Sequence, residues 1–354
     1  MITLPGLIDS HVHFRTPGQT HKEDFITGTK AAIAGGFTTV IDMPNNLEPI
    51  ITFDRLQQKK KIAKKQILCD VGFHFGSLGD NLEEFAKVKK EVFGLKLFLN
   101  QTTGNFIIDK KSLLKIYDAW SKSLPILVHA EEDVIDLVIK VCQQTKKKTH
   151  ICHVSSKEEL KKIISAKKKG IKITCGVTPH HLFLTEKDVR KLKSFGMMKP
   201  TLKTKEDVDF IWKNLKYIDC IESDHAPHTI AEKKSANPPF GVPNLETTLS
   251  LLLTACSEGK LSIKDIVRLC HDGPAKIFGI SQNAKIIADE NEEWTVRGSE
   301  LQTKCKWSPF EGRTFKGKIK KVYIRNKLVF DNGKFLVKPG FGHLQRKGPT
   351  LNRA

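Results

Sequence analysis

The chain has 354 residues, 39% of them hydrophobic and 28% charged, and 59 Lys and Arg against 39 Asp and Glu give it a formal net charge of +20. That length suits one barrel-sized core with an appendage, and with no apolar stretch near about 18 residues and no charged-then-apolar leader, neither a membrane span nor a signal peptide is expected. The lysines form short runs (59–61, 146–148 and 167–169) on the outer faces or ends of predicted helices, without interleaved aromatics or a nucleic-acid motif. They read as a solvated surface rather than a nucleic-acid site, one whose excess charge would help draw in an anionic small-molecule substrate.

Eight short apolar or β-branched runs follow one another at about 7–12, 38–43, 67–75, 92–98, 125–130, 149–154, 171–177 and 218–223. Between and after them, apolar and charged positions alternate near the 3.6-residue helical period over 22–34, 54–65, 81–89, 111–122, 131–144, 156–169, 185–193 with 205–213, and 245–258. Eight β-then-α units predict an α/β fold, a closed (β/α)8 TIM barrel of parallel strands over 1–280, rather than an open sheet. Beyond residue 280 the helical period weakens. Alternating apolar and polar residues around Asp331, Asn332 and Gly333, a hairpin turn signal, predict a small C-terminal β appendage over 281–354. The eight cysteines (Cys69, Cys142, Cys152, Cys175, Cys220, Cys256, Cys270 and Cys305) form no CxxC pair. Several fall inside predicted strands, which suits reduced thiols in the cytoplasm.

Five segments end a short apolar run on a metal-ligand residue: His11 and His13 in LIDSHVHFR, Lys96 in FGLKLFLN, His129 in ILVHAEE, His153 in HICHVSS and Asp224 in CIESDHAPH. A single His in such a place is usually a satisfied core residue, but six such residues at strand ends predict one assembled binuclear metal site at the C-terminal mouth of the barrel. His11 and His13, two apart, point to the same side of a strand. Lys96 is the odd member, because an ammonium repels both cations; reaction with carbon dioxide would turn it into a carbamate that supplies two oxygens and a negative charge. Arg15, two residues beyond His13 and so on the same face of the strand end, offers a guanidinium suited to bidentate contact with a carboxylate.

Together with PGLIDSHVHFRTPG, THKEDF, GGFTTVIDMPN, TPHHLFL, NLETTLSLLLTA and WSPFEGRTFKGKIKKV, these motifs resemble the dihydroorotases of the amidohydrolase superfamily over nearly the whole chain. The likeness is greatest to the dihydroorotase domain of the animal multifunctional pyrimidine-synthesis protein. The resemblance implies the reversible cyclisation of N-carbamoyl-L-aspartate to L-dihydroorotate in pyrimidine biosynthesis. It implies two divalent ions, zinc by expectation: His11, His13, Lys96 as its carbamate and Asp224 would hold the first, and the carbamate with His129 and His153 the second. A hydroxide would bridge them, with Asp224 as general acid and base. It also implies Arg15, Asn45 and His228 as contacts to the substrate carboxylate, Thr102 as a contact from the loop after the fourth strand, and Pro239 and Gly241 in NPPFGVP as a substrate-lining segment.

Two departures from the animal pattern stand out. Thr103 replaces the phenylalanine of the closing loop, so closure is expected to be weaker or handled differently. Gly176 replaces a glutamate that would join Cys152 in binding an extra zinc, so two metals are expected, with Cys152 a buried thiol and His180 and His181 structural or supporting groups. The family also suggests a homodimer and association with aspartate transcarbamoylase. The rival readings are another cyclic amidase, such as an allantoinase or hydantoinase, and an inactive dihydroorotase-like scaffold that binds the transcarbamoylase; the scaffold would have lost ligands that this chain keeps.

Overall fold

The computed structural model describes residues 1–101 and 106–346. Eight parallel strand segments follow one another round a ring: Leu7–Val12, Phe37–Asp42, Asp70–Phe73 continued as Phe75–Gly76, Leu95–Phe98, Ile126–His129, Thr149–Ile151, Ile173–Val177 and Cys220–Ile221. The ring closes where Val12 bridges His225 in parallel and His13 N donates to His225 O at 2.9 Å. The strands are buried on both faces, which explains why they read as continuous apolar runs rather than alternating ones. Ile8, Ile41, Phe93, Leu127 and Cys152 pack with Phe278 as an inner cluster, and a larger apolar shell lies between strands and helices.

The helices begin where capping chemistry starts them. Asp24 caps Phe25–Ala34, Ser156 and Glu159 form a capping box on Lys157–Lys168, and Thr204 and Asp207 do the same on Lys205–Lys213. The helix expected from residue 22 therefore starts at Phe25. The strands end earlier than the apolar runs suggest: the sixth stops at Ile151 and the eighth at Ile221. His153 (φ 40°) and Asp224 (φ 45°) lie just beyond, in left-handed backbone that leaves the ladder. In the first strand a register shift between Asp9 and Val12 reverses the inward and outward phase, so that Ile8 and His11 both face inward.

A second, antiparallel sheet runs Ile2–Pro5, Ala284–Thr295, Thr314–Ile324, Lys327–Asp331, Lys334–Phe335. Its last hairpin turns at Asn332 (φ 46°) and Gly333 (φ 87°), where the turn signal lies. The appendage is not built from 281–354 alone, as expected from the sequence. Ile2–Pro5 pairs along Lys285–Ala288 and covers an edge that would otherwise be open.

The expectation of a solvated lysine surface also needs correction. Lys59, Lys60 and Lys147 are buried: Lys59 pairs with Asp42 at 2.7 Å, Lys60 pairs with Glu91, and Lys147 donates to the Asp118 and Trp120 carbonyls. All eight cysteines are free thiols and only Cys256 is partly exposed. Among the described residues no helix is long and apolar enough to cross a membrane.

Candidate active site

At the C-terminal ends of the strands the predicted ligands converge. Asp224 Oδ1 lies 3.0 Å from His13 Nε2 and 3.5 Å from His11 Nε2. The His11 ring centroid is 5.3 Å from those of His13 and His153, and His153 is 4.5 Å from His129. Lys96 is fully buried beside them, its Nζ 3.2 Å from Cys152 Sγ and 4.7 Å from the centre of the Phe98 ring. Burial depresses the pKa of both His129 and His153, and the Lys96 charge adds to it.

Whether this set suits cations can be judged from its protonation and its unfilled valences. Burial lowers His13 to about 3 and pushes His129 and His153 down as well, so these imidazoles are neutral, the form that ligates. Burial would raise the Asp224 carboxyl, but His11 and His13 hold it well below the ordinary range, as an anion. His153 Nδ1 is buried without a hydrogen-bond partner, and Lys96 has no carboxylate in ion-pair range among the described residues. A buried amine amid four imidazoles, beside only the Phe98 ring and the Cys152 sulfur, has no counter-charge in ion-pair range among the described residues. The same amine as a carbamate beside two divalent cations has one, and the donor set fits that group.

A second ring of acceptors orients the ligands, as metal-binding histidines require. His13 Nδ1 donates to Asn45 Oδ1 at 2.7 Å and His11 Nδ1 to Glu222 Oε2 at 3.1 Å, which leaves each Nε2 facing Asp224. His129 Nε2 donates to Glu131 Oε1 at 3.0 Å and leaves Nδ1 for a cation. Asp9 accepts from His11 N and Ser223 N, joining the first and last barrel strands. Sequence reasoning missed Glu222, Glu131 and Asp9. Each stands two residues from a candidate ligand, in CIESDH, HAE and LIDSH; for Asp9 and Glu222 a carboxylate inside an apolar run was the available signal, and for Glu131 one directly after it.

Gly176, where the resemblance leads one to expect a glutamate, adjoins Glu222: a Cβ there would lie 2.3 Å from Glu222 Oε1. Donor atoms of His11, Cys152 and Glu222 lie within 4.8 Å of one another, as do those of His11, His153 and Asp224. Both Glu222 oxygens are already engaged, Oε1 by His153 N at 2.5 Å and Oε2 by His11.

The cavity over the ligands is lined by Arg15, Asn45, Phe98, Lys199, Phe240 and Gly241. Arg15 reaches it from a left-handed residue (φ 59°) beyond the strand, not by the strand alternation that the sequence suggested. Its Nε donates to Pro227 O at 3.2 Å, and burial lowers it to about 10, still a cation at neutral pH. His228 Nε2 lies 3.0 Å from Phe240 O and 3.2 Å from Arg15 Nη2, and Lys22 Nζ lies 3.4 Å from its Nδ1; of these neighbours only the carbonyl accepts, so Nε2 carries the proton and the Arg15 contact is not a hydrogen bond. Burial, with Arg15 and Lys22 nearby, keeps this ring neutral. Pro239 stands behind Gly241, outside the cavity lining. Thr102 and Thr103 lie outside the described residues. Lys199 and the two phenylalanines gave no sequence signal, because a lysine in so basic a chain and an aromatic after a strand are unremarkable by type. His180 and His181 are buried supports: His180 Nδ1 accepts from Asn244 Nδ2, and His181 Nε2 donates to Pro200 O. A roomier cleft of about 320 Å³ between Gly35, Leu249, Trp294 and Lys320 holds no histidine or cysteine.

A barrel mouth that gathers imidazoles, a buried lysine and an aspartate defines a metal-dependent hydrolase centre, and the chain belongs to the amidohydrolase family, whose model matches residues 2–329. Within it, the chain is similar to the dihydroorotase of Pyrococcus horikoshii, with 35% identity over 98% of this chain and 85% of that protein. It is 43% identical, over 99% of its length, to multifunctional protein CAD of Squalus acanthias, of which it spans only 16%. Among solved structures, the L-hydantoinase of Arthrobacter aurescens shares its fold, with a TM-score of 0.93, 23% identity and coverage of 98% of this chain and 89% of that one. The inactive dihydroorotase-like domain of a Chaetomium thermophilum CAD-like multifunctional protein matches with a TM-score of 0.83, 27% identity and coverage of 97% and 98%.

Proposed function

We propose that the chain is a dihydroorotase of the cytoplasm, closing N-carbamoyl-L-aspartate to L-dihydroorotate and reopening the ring in reverse. The observation that carries this reading is that residues suited to cations and residues suited to an anion line one cavity: Asp224, His13, His129 and His153 together with Arg15, Asn45 and Gly241.

His11, His13, Asp224 and Lys96 as its carbamate would hold one divalent ion, and the same carbamate, His129 and His153 the other, both zinc in this reading. When bound, the ions lower the pKa of a water and polarise the amide carbonyl. The protein's own groups do the rest. Arg15 holds the substrate carboxylate, joined by the Asn45 amide nitrogen, since the Asn45 oxygen is spent on His13. His228, pinned between Phe240 O and Lys22, packs against the guanidinium, its Nε2 3.2 Å from Arg15 Nη2. Asp224, kept anionic by its histidines, takes the proton of the carbamoyl nitrogen as the ring closes and returns it to the ring nitrogen on opening. Two ions rather than three belong to this reading: Gly176 stands where a glutamate ligand would be expected, and both Glu222 oxygens accept hydrogen bonds, from His11 and the His153 main chain.

An allantoinase or hydantoinase acts on a neutral ring and has no use for the Arg15 group. An inactive scaffold would have no reason to keep all six ligands and their supports. A homodimer and association with aspartate transcarbamoylase complete the reading, in line with relatives named as multifunctional proteins. Ring opening followed in the ultraviolet with dihydroorotate, allantoin and dihydrouracil is the test. Turnover is expected on dihydroorotate; turnover confined to the neutral rings would overturn the substrate, and none on any ring with almost no bound metal would favour the scaffold.

A further inference from the structure

Gly241 enters the cavity on a strap, residues 239–241, pressed against the loop after the eighth strand. Its φ is 135°, and a Cβ there would lie 2.5 Å from Ala226 O. Beneath the strap lies Lys233, the last residue of the short helix Ile230–Lys233. It is fully buried, and among the described residues no carboxylate pairs with it. Its Nζ instead donates to three main-chain carbonyls: Pro239 O at 2.9 Å, Met197 O at 3.1 Å and Gly241 O at 3.2 Å. The Trp307 ring centre is 5.6 Å away. Three carbonyls round one positive charge is how a protein coordinates a small monovalent cation, here supplied by a side chain.

We propose that Lys233 is a positioning residue whose ammonium serves as a built-in cation, clamping strap 239–241 to the Met197 segment and so setting the anion-reading side of the cavity. Two connections carry its effect into the site. Gly241 N donates to Met197 O at 3.0 Å, the same oxygen that Lys233 uses. Phe240 O, between the two clamped carbonyls, accepts from His228 Nε2 and fixes which ring nitrogen carries the proton. Trp307 Nε1 meanwhile donates to His228 O at 2.7 Å, so the same indole borders the clamp and the histidine. Burial lowers Lys233 to about 7, with three carbonyls and the Trp307 ring as its neighbours. That cost is hard to account for if the residue merely fills space, because a methionine would fill it without a desolvation penalty.

The claim that the clamp serves dihydroorotate rests on the function proposed above; the claim that it orders the strap does not. The test compares Lys233→Ala and Lys233→Met with wild type in two readouts: dihydroorotate kinetics and hydrogen exchange at the Gly241 amide. Both variants should raise KM about tenfold with kcat changed less than about threefold, and should exchange the Gly241 amide faster. Added n-propylammonium, which replaces the atoms lost in Lys233→Ala, should restore both readouts in that variant and neither in Lys233→Met, where the space is filled. Unchanged KM and exchange would overturn the proposal, as would losses in Lys233→Ala that the cation does not reverse. If wild type fails to open dihydroorotate while exchange behaves as described, the substrate is wrong and the clamp stands.

Discussion

Glu222 fills the volume that Gly176 leaves on the neighbouring strand, and from there it fixes two ligands through one carboxylate. Its Oε2 accepts from His11 Nδ1 and turns Nε2 toward Asp224, while Oε1 holds the His153 main chain at the point where φ turns positive. Outer partners of metal-binding histidines typically matter by 10- to 100-fold in metal affinity. Glu222→Ala should therefore weaken zinc binding by about that factor, measured by titration against a chelator, with two ions per chain before and after at saturation. Unaltered affinity would contradict the role, and a fall from three ions to two would assign Glu222 to a third ion instead. The convergence of the six candidate ligands was legible in the sequence because each ends an apolar run. Glu222 and Lys199 were not, since a residue's type does not say which neighbour its side chain will meet across the barrel.

Among the elements, helix Phe53–Gln66 shows where periodicity misleads. Leu56, Lys59, Lys60 and Ala63 form its buried stripe, at the i, i+3, i+4, i+7 spacing of an inner face. A run of three lysines looks solvated, yet two of them sit on that stripe. Lys59 Nζ reaches Asp42 at 2.7 Å and both Met43 O and Asn46 Oδ1 at 2.8 Å, while Asp42 Oδ1 accepts from Phe14 N. The helix is thus tied to the strand ends that present His13 and Asn45. Lys59→Met would leave the Asp42 carboxylate buried and unpaired, a change that costs about 3–5 kcal/mol. Denaturant unfolding should show that loss, and a loss under about 1 kcal/mol would mean that the pair adds little. The strands were legible in number and order, but their ends were not. The ladder stops early at Ile151 and Ile221 because His153 and Asp224 need left-handed backbone to point into the mouth.

For the molecule as a whole, the barrel was legible from eight repeating units, whereas the makeup of the small sheet was not. Pairing of Ile2–Pro5 with a strand some 280 residues later leaves no local trace in the sequence. The interior also stores histidines that the metal-ligand set does not use. His74 donates to Ser10 O at 3.1 Å and His181 to Pro200 O at 3.1 Å; burial lowers His74 to about 3 and His181 to about 4. In the unfolded chain both would take protons near pH 6.5, and in the folded chain only far lower. Their contribution to stability is therefore complete above pH 6.5 and lost as the pH falls, at up to about 1.4 kcal/mol per unit for each. Burial raises Asp9 and Glu246 to about 7, and their proton uptake over the same window acts in the opposite direction, so the rings are best followed one by one. In the metal-stripped protein the ring signals of His74 and His181 should not titrate in a nuclear magnetic resonance series between pH 6.5 and 5; a titration in that window would mean that these rings become charged in the fold.

The central claim is that a buried lysine, converted to an anion, joins histidines and an aspartate from distant strands into one catalytic centre. Turnover of dihydroorotate by Lys96→Ala, with far-ultraviolet circular dichroism to verify the fold, tests it most directly. Near-total loss of turnover in a folded protein is the predicted result, and wild-type turnover in that variant would contradict it.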